Sequence, residues 1–148
     1  MRCRVSYVGP VNLRAATIDD IPAVLAFWKT SAEDTKRAGD DGDAVTALIA
    51  RDPGALLLAV EQDEIVGSLI AGFDGWRCHV YRFAVRPDRR RRGIGKALLE
   101  AGEERFRQFG GRRVDAMVLD DNTLAHHAWS AGGYAAQPEW RRWVKGLV

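Results

Sequence analysis

A mixed α/β fold is predicted for this chain, with a mostly antiparallel sheet, one parallel strand pair and helices on both faces. Two observations carry that expectation. Three strand-like segments, Ala55 to Glu61, Glu64 to Phe73 and Trp76 to Val85, are joined by the turn signals Gln62-Asp63 and Asp74-Gly75, which makes them antiparallel neighbours. A segment of helical period then separates the third from another strand, Arg112 to Leu119, so that connection is a crossover and those two strands run parallel.

The elements follow in order. Residues 1–10 read as an N-terminal extension without a structural signal. Val11 to Ala16 alternates as a short first strand. Thr17-Ile-Asp-Asp20 resembles a capping arrangement, Pro22 is tolerated in a first turn, and Ile21, Val24, Leu25, Phe27 and Trp28 support a helix to about Lys29. A charged connection follows, with carboxylates at Glu33, Asp34, Asp40, Asp41 and Asp43. Asp43 or a neighbour caps a second helix to about Arg51, and Asp52-Pro53-Gly54 stops it. In the crossover, Ile94, Ala97, Leu98, Ala101, Gly102, Phe106 and Phe109 mark one helix face, and Gly110-Gly111 ends it. Asp120-Asp121-Asn122 leads into a short helix to about Ala131. Tyr134 to Trp140 and Arg141 to Leu147 suggest a closing hairpin.

Composition narrows the class. A chain of 148 residues, 47% hydrophobic and 28% charged, reads as one globular domain spanning 1–148. No apolar run approaches the roughly 18 residues that span a bilayer, and Gly9, Pro10, Asn12 and Arg14 interrupt any leader-like segment, so no membrane partner and a cytoplasmic location are expected. Cys3 and Cys78 give neither metal-ligand spacing nor a disulfide framework. His126 and His127 are adjacent in a helix and point about 100° apart, so they cannot clamp one ion, and no metal is inferred. The net charge is only +2, yet Arg86, Arg89, Arg90, Arg91 and Arg92 crowd one loop. No nucleic-acid-binding motif accompanies them, which disfavours that partner.

The basic loop lies in the most informative stretch, Val80 to Leu99. A strand runs to Val85, Pro87 cannot continue a ladder, and from Ile94 the apolar spacing turns helical. Gly93 and Gly95 remove side chains where a helix presents its first unpaired N–H groups, which describes an anion site, most simply for phosphate. A Walker A loop is disfavoured because Ala97 follows Lys96 where a hydroxyl residue is required and Arg90 stands where a glycine is required. A Rossmann fingerprint fails at Leu98.

The loop instead resembles the acyl-CoA-binding motif of the GCN5-related N-acetyltransferases (GNAT), Arg/Gln-x-x-Gly-x-Gly/Ala, in Arg90-Arg-Arg-Gly93-Ile-Gly95, preceded by the matching Val85-x-Pro87. Asn122-Thr-Leu-Ala125-His-His-Ala128-Trp129-Ser-Ala-Gly-Gly133-Tyr134 is similar to the family's Asn-x-x-Ala-x-x-Leu-Tyr-x-x-x-Gly-Phe, and Leu13-Arg14-x-Ala16-Thr17-x-x-Asp20 to its first strand and helix start. The resemblance implies a GNAT-like sheet whose parallel pair splays apart at its C-terminal end and an acetyl-CoA donor entering that gap. It implies backbone contacts to pantetheine at Phe83, Ala84 and Val85, a pyrophosphate site at Arg90, Arg91, Arg92, Gly93, Ile94, Gly95, Lys96 and Ala97, and a further cofactor-side residue at Asn122. It also implies an N-acetyltransferase in which a primary amine attacks directly.

An alkylammonium has no lone pair, so a general base is expected; the family often has a glutamate about four residues before the paired backbone, and His79 occupies that position here, with Tyr81 on its face. Imidazole's reference pKa of about 6.5 suits the role. Trp129 stands where the resembled motif has the tyrosine that often protonates the leaving thiolate. The acidic connection, if it walls the acceptor side, favours a cationic amine. A non-catalytic acyl-CoA-binding or sensing domain is the alternative reading, and a homodimer is left open.

Overall fold

The computed structural model describes residues 11–31 and 39–148. Among these, five strands form one sheet in chain order: β1 (Asn12–Ala15), β2 (Leu56–Glu61), β3 (Glu64–Phe73), β4 (Cys78–Val85) and β5 (Val114–Ala116). The first four pair antiparallel and β4 pairs with β5 in parallel. Helices α1 (Ile21–Ser31) and α2 (Gly42–Arg51) precede β2, α3 (Ile94–Gln108) makes the crossover, and α4 (Thr123–Ala131) follows β5.

The two-residue period of the strands divides the core into two layers. Leu56, Leu58 and Ile70 face Val24, Phe27 and Trp28 of α1 and Val45 and Ile49 of α2. Ala59, Val66, Leu69, Ala71 and Val80 face Ile94, Leu98, Leu99 and Phe106 of α3. Each large apolar side chain buried in this way contributes about 1.5–3 kcal/mol. Close approach of α3 to the sheet depends on Gly67: a Cβ there would lie 2.8 Å from Leu98 Cδ1 and 3.2 Å from Ile94 Cγ2.

Local chemistry fixes the element ends. Asp20 accepts from the Thr17 N–H at 2.8 Å, closing a single 3-10 turn before α1, and takes two bonds from Arg14 at 2.7 and 2.8 Å. Of Asp43 and its neighbours it is Asp41 that caps α2, accepting from the Asp43 N–H at 2.9 Å. Gln62 and Asp63 both hold positive φ, as a tight hairpin turn requires. Asp74 accepts from the N–H groups of Trp76 and Arg77, and those two donors hold its carboxyl below the usual carboxylate range.

Two expectations about strands differ from the structure. No strand occupies residues 134–148, so the closing hairpin is absent; Pro138 interrupts the segment, and Trp140, Trp143, Val144 and Leu147 follow a three-to-four-residue spacing rather than strand alternation. The parallel strand is shorter than Arg112 to Leu119, because its pairing with β4 covers Val114–Ala116 only. The N-terminal extension and Cys3 lie outside the described residues.

Gly67→Ala should lower the unfolding free energy by about 1–3 kcal/mol in urea titration, since Leu98 and Ile94 are buried and cannot give way. Acid should act through Asp20, whose carboxyl is held at about 2, from an ordinary 3.8, chiefly by the Arg14 guanidinium. A depressed folded-state pKa stabilises above the unfolded value, and that stabilisation fades as pH falls from about 4 toward 2. Between those limits wild type should therefore lose more stability than Asp20→Asn, measured by thermal melts across the range.

Candidate active site

The site begins where the sheet stops being regular. Ser68 pairs with Ala84 and Ile70 with Tyr81, so Leu69 stands opposite both Arg82 and Phe83 and β4 carries one extra residue. Arg82 adopts φ 51°, a left-handed conformation that costs about 1–2 kcal/mol for a residue with a Cβ. Its carbonyl accepts from Ser68 Oγ at 2.7 Å, and Ser68 Oγ accepts from Trp28 Nε1 at 2.9 Å. The Arg82 guanidinium lies 5.8 Å from the Trp28 ring centroid and pairs with Asp40 at 2.8 Å. On the other edge of β4, pairing with β5 ends at Val80 and Ala116, while β4 runs on to Val85. Among the described residues the main chain from Tyr81 to Val85 thus has no partner strand on that side.

Just before the gap, His79 stands opposite Asp115 in the β4–β5 register, and His79 Nδ1 is hydrogen-bonded to Asp115 Oδ1. A carboxylate on Nδ1 orients the ring and leaves Nε2 as the other working nitrogen. The Tyr81 ring lies 5.4 Å from the imidazole, and Gly72 makes room for it, since a Cβ there would be 3.2 Å from Tyr81 Cε1. Burial pushes the Tyr81 phenol up, so it is a neutral donor at neutral pH. The pairing of Asp115 with His79 depends on the register of β4 and β5.

At the end of β4 the arginine run divides. Arg86 pairs with Asp88 and Glu64, Arg89 pairs with Glu61 and Asp88, and Arg90 Nε donates to the Val85 carbonyl at 3.2 Å. Arg91 and Arg92 are exposed, and among the described residues no carboxylate pairs with either. Positive φ occurs at Arg91 (62°) and Gly93 (83°), not at Gly95. Gly93 caps α3, so the N–H groups of Ile94, Gly95 and Lys96 lack intrahelical acceptors. Gly95 serves packing instead: a Cβ there would sit 3.1 Å from Phe83 Cζ. Lys96 lies 3.8 Å from Glu100 on the exposed face, and Ala97 is buried.

The acidic connection is less available than its sequence suggests. Asp40 is engaged by Arg82 and Asp41 caps α2, while Glu33 and Asp34 lie outside the described residues. Among the described residues no group of three or more His, Cys, Asp or Glu converges as a metal site, and no helix is long and apolar enough to cross a membrane.

Residues 22–134 match the acetyltransferase (GNAT) family. The chain belongs to that family. An acetyltransferase of Pectobacterium atrosepticum is 34% identical over 113 residues, 76% of this chain and 79% of the relative. Among solved structures, the PaiA N-acetyltransferase of Thermoplasma acidophilum in complex with coenzyme A has a TM-score of 0.77 at 15% identity, covering 86% of this chain and 91% of its own. An aminoglycoside 6'-N-acetyltransferase of Acinetobacter haemolyticus has a TM-score of 0.68 at 15% identity, covering 93% and 99%. Both likenesses are of fold.

The two remaining positions of the GNAT pattern have local roles. Asn122 caps α4, its carboxamide oxygen accepting from the Ala125 N–H at 3.2 Å. Trp129 is half-buried between Phe83 and Tyr134, with ring centroids 5.2 and 4.8 Å away, and so ties α4 to the bulged segment of β4. The Tyr134 hydroxyl reaches Glu103 at 3.4 Å.

The loop geometry makes a test possible. Gly93→Val forces a β-branched side chain into the left-handed region, costing about 1–2 kcal/mol and turning the N–H groups at the start of α3 out of line. Calorimetric titration with acetyl-CoA should show weakened binding in a variant that remains folded; affinity equal to wild type would move the anion site elsewhere.

Proposed function

We propose that this GNAT acetyltransferase moves an acetyl group from acetyl-CoA to a primary amine by direct attack. The observation that carries the reading is the β4 main chain from Tyr81 to Val85, which among the described residues has no strand partner on its β5 side and leads to the open N-terminus of α3. Phe83, Ala84 and Val85 would pair with the pantetheine arm there. Arg91, Arg92 and the N–H groups of Ile94, Gly95 and Lys96 would hold the pyrophosphate, with Gly93 shaping the turn. Arg90 acts from behind, fixing the Val85 carbonyl. Acetyl-CoA supplies the acyl group as a thioester, already activated toward an amine.

This chain's own part is to position, to deprotonate and to polarise. His79 takes the proton from the attacking ammonium, and Asp115 orients the ring and stabilises the charge it gains. A backbone N–H of the bulged segment polarises the carbonyl. Thiols have a reference pKa of about 8.5, so water suffices to protonate the departing sulfur. Asp40 is balanced by Arg82, so among the described carboxylates of the connection it adds little to any attraction for a cationic amine.

Trp129 favours a second reading, an acyl-CoA-binding domain without efficient turnover, because an indole cannot protonate a thiolate as a phenol can. CoA release measured across a panel of primary amines separates the two, since the second reading gives binding without release. On a productive amine, His79→Ala should lower kcat by about 10²-fold or more, leave acetyl-CoA affinity intact and abolish the acidic limb of the pH–rate profile. Asp115→Asn should have a smaller effect in the same direction. Unchanged kinetics in both variants would remove the pair from the mechanism.

A further inference from the structure

Ser68 is fully buried on β3, and Trp28 beneath it is 2% exposed. A buried hydroxyl must satisfy its hydrogen-bonding groups, and the direction of its bonds is forced here. Indole Nε1–H only donates, so it occupies an acceptor site of Ser68 Oγ, and the single Ser68 proton goes to the Arg82 carbonyl, which only accepts. The bonds therefore run one way, from α1 through β3 to the bulge in β4.

The Arg82 carbonyl and the Phe83 N–H belong to one peptide plane, and the described chain contains no cis peptide. In a trans peptide the two groups point in opposite directions. Drawing the carbonyl toward Ser68, on the β3 side, turns the Phe83 N–H away from β3 toward the side on which β5 has ended. Arg82 stays left-handed because this bond, the Asp40 pair and the Trp28 ring all hold it.

We propose that Ser68, held in one rotamer by Trp28, is a positioning residue that aims the Phe83 N–H at the thioester oxygen. The assignment rests on the acetyl-CoA reading above and adds to it a specific donor and the device that orients it. Neither side chain touches the donor substrate; both act through the Arg82–Phe83 peptide.

The test uses the whole chain and acetyl-CoA labelled with carbon-13 at the thioester carbonyl. Infrared difference spectra read polarisation of that carbonyl, and calorimetry reads affinity, so no acceptor is needed. Wild type should shift the stretch to lower frequency on binding. Ser68→Ala should bind with unchanged affinity and lose most of the shift, Ser68→Thr should retain it, and Trp28→Phe should lose part of it while keeping a ring in place. On a productive amine, turnover of Ser68→Ala should fall by about 10²-fold, the scale of one lost backbone-type donor. A merely structural role would lower the melting temperature and leave the bound carbonyl frequency unchanged. A full shift in folded Ser68→Ala overturns the proposal, and should that variant fail to fold, a full shift in Trp28→Phe does the same. Wild type that binds acetyl-CoA without a shift also overturns it. Wild type that does not bind acetyl-CoA overturns the functional reading beneath it.

Discussion

One extra residue in β4 governs the geometry on both sides of that strand. Before it, Cys78 and Val80 face α3 while His79 and Tyr81 share the face of Ile70 and α1. After it the phase is reversed, and Phe83 and Val85 pack on the α3 side while Ala84 joins the other layer. A regular strand would have sent Phe83 into the α1 layer and kept its edge in line with β5. The bulge instead bends β4 away, and the parallel pairing ends after three residue pairs. What is lost in ladder bonds becomes a length of main chain with free groups, which a binding fold can use and a closed sheet cannot.

Much of this frame was legible from residue order. The antiparallel meander followed from Gln62-Asp63 and Asp74-Gly75, and the parallel pair from a helical segment between Val85 and Val114. Those signals are local, carried by turn chemistry and period. The bulge was not legible, because Arg82 is a poor advertisement for a left-handed residue and its stabilisation comes from Ser68, 14 positions away, and Trp28, 40 positions from Ser68. The partner of His79 is likewise 36 positions away and set by register alone. Residues 134–148 mislead in the opposite sense: aromatic and branched residues suggest strands, but strand propensity needs a partner and a face to bury.

Electrostatics shows the same difference between composition and arrangement. Five arginines in seven positions read as one basic patch. In the folded chain Arg86 and Arg89 brace the loop through Glu61, Glu64 and Asp88, so their charge is largely balanced where it stands. The positive field that remains comes from Arg91 and Arg92 together with the start of α3. The acidic connection behaves alike, with Asp40 and Asp41 spent on an ion pair and a helix cap. In the arginine run the like charges are divided into a structural part and a smaller free part.

The environments of the tryptophans are unusually separated. Trp28 sits in the core with its indole N–H bonded to Ser68, whereas Trp76, Trp140 and Trp143 are 89%, 69% and 94% exposed. With three water-exposed indoles against one buried in the core, the intrinsic emission of the native protein should change colour little on unfolding. A chain with those three replaced by phenylalanine would leave Trp28 and Trp129, whose rings lie in opposite layers on either side of the bulged strand. Fluorescence from that chain would report on the active-site frame rather than on the surface.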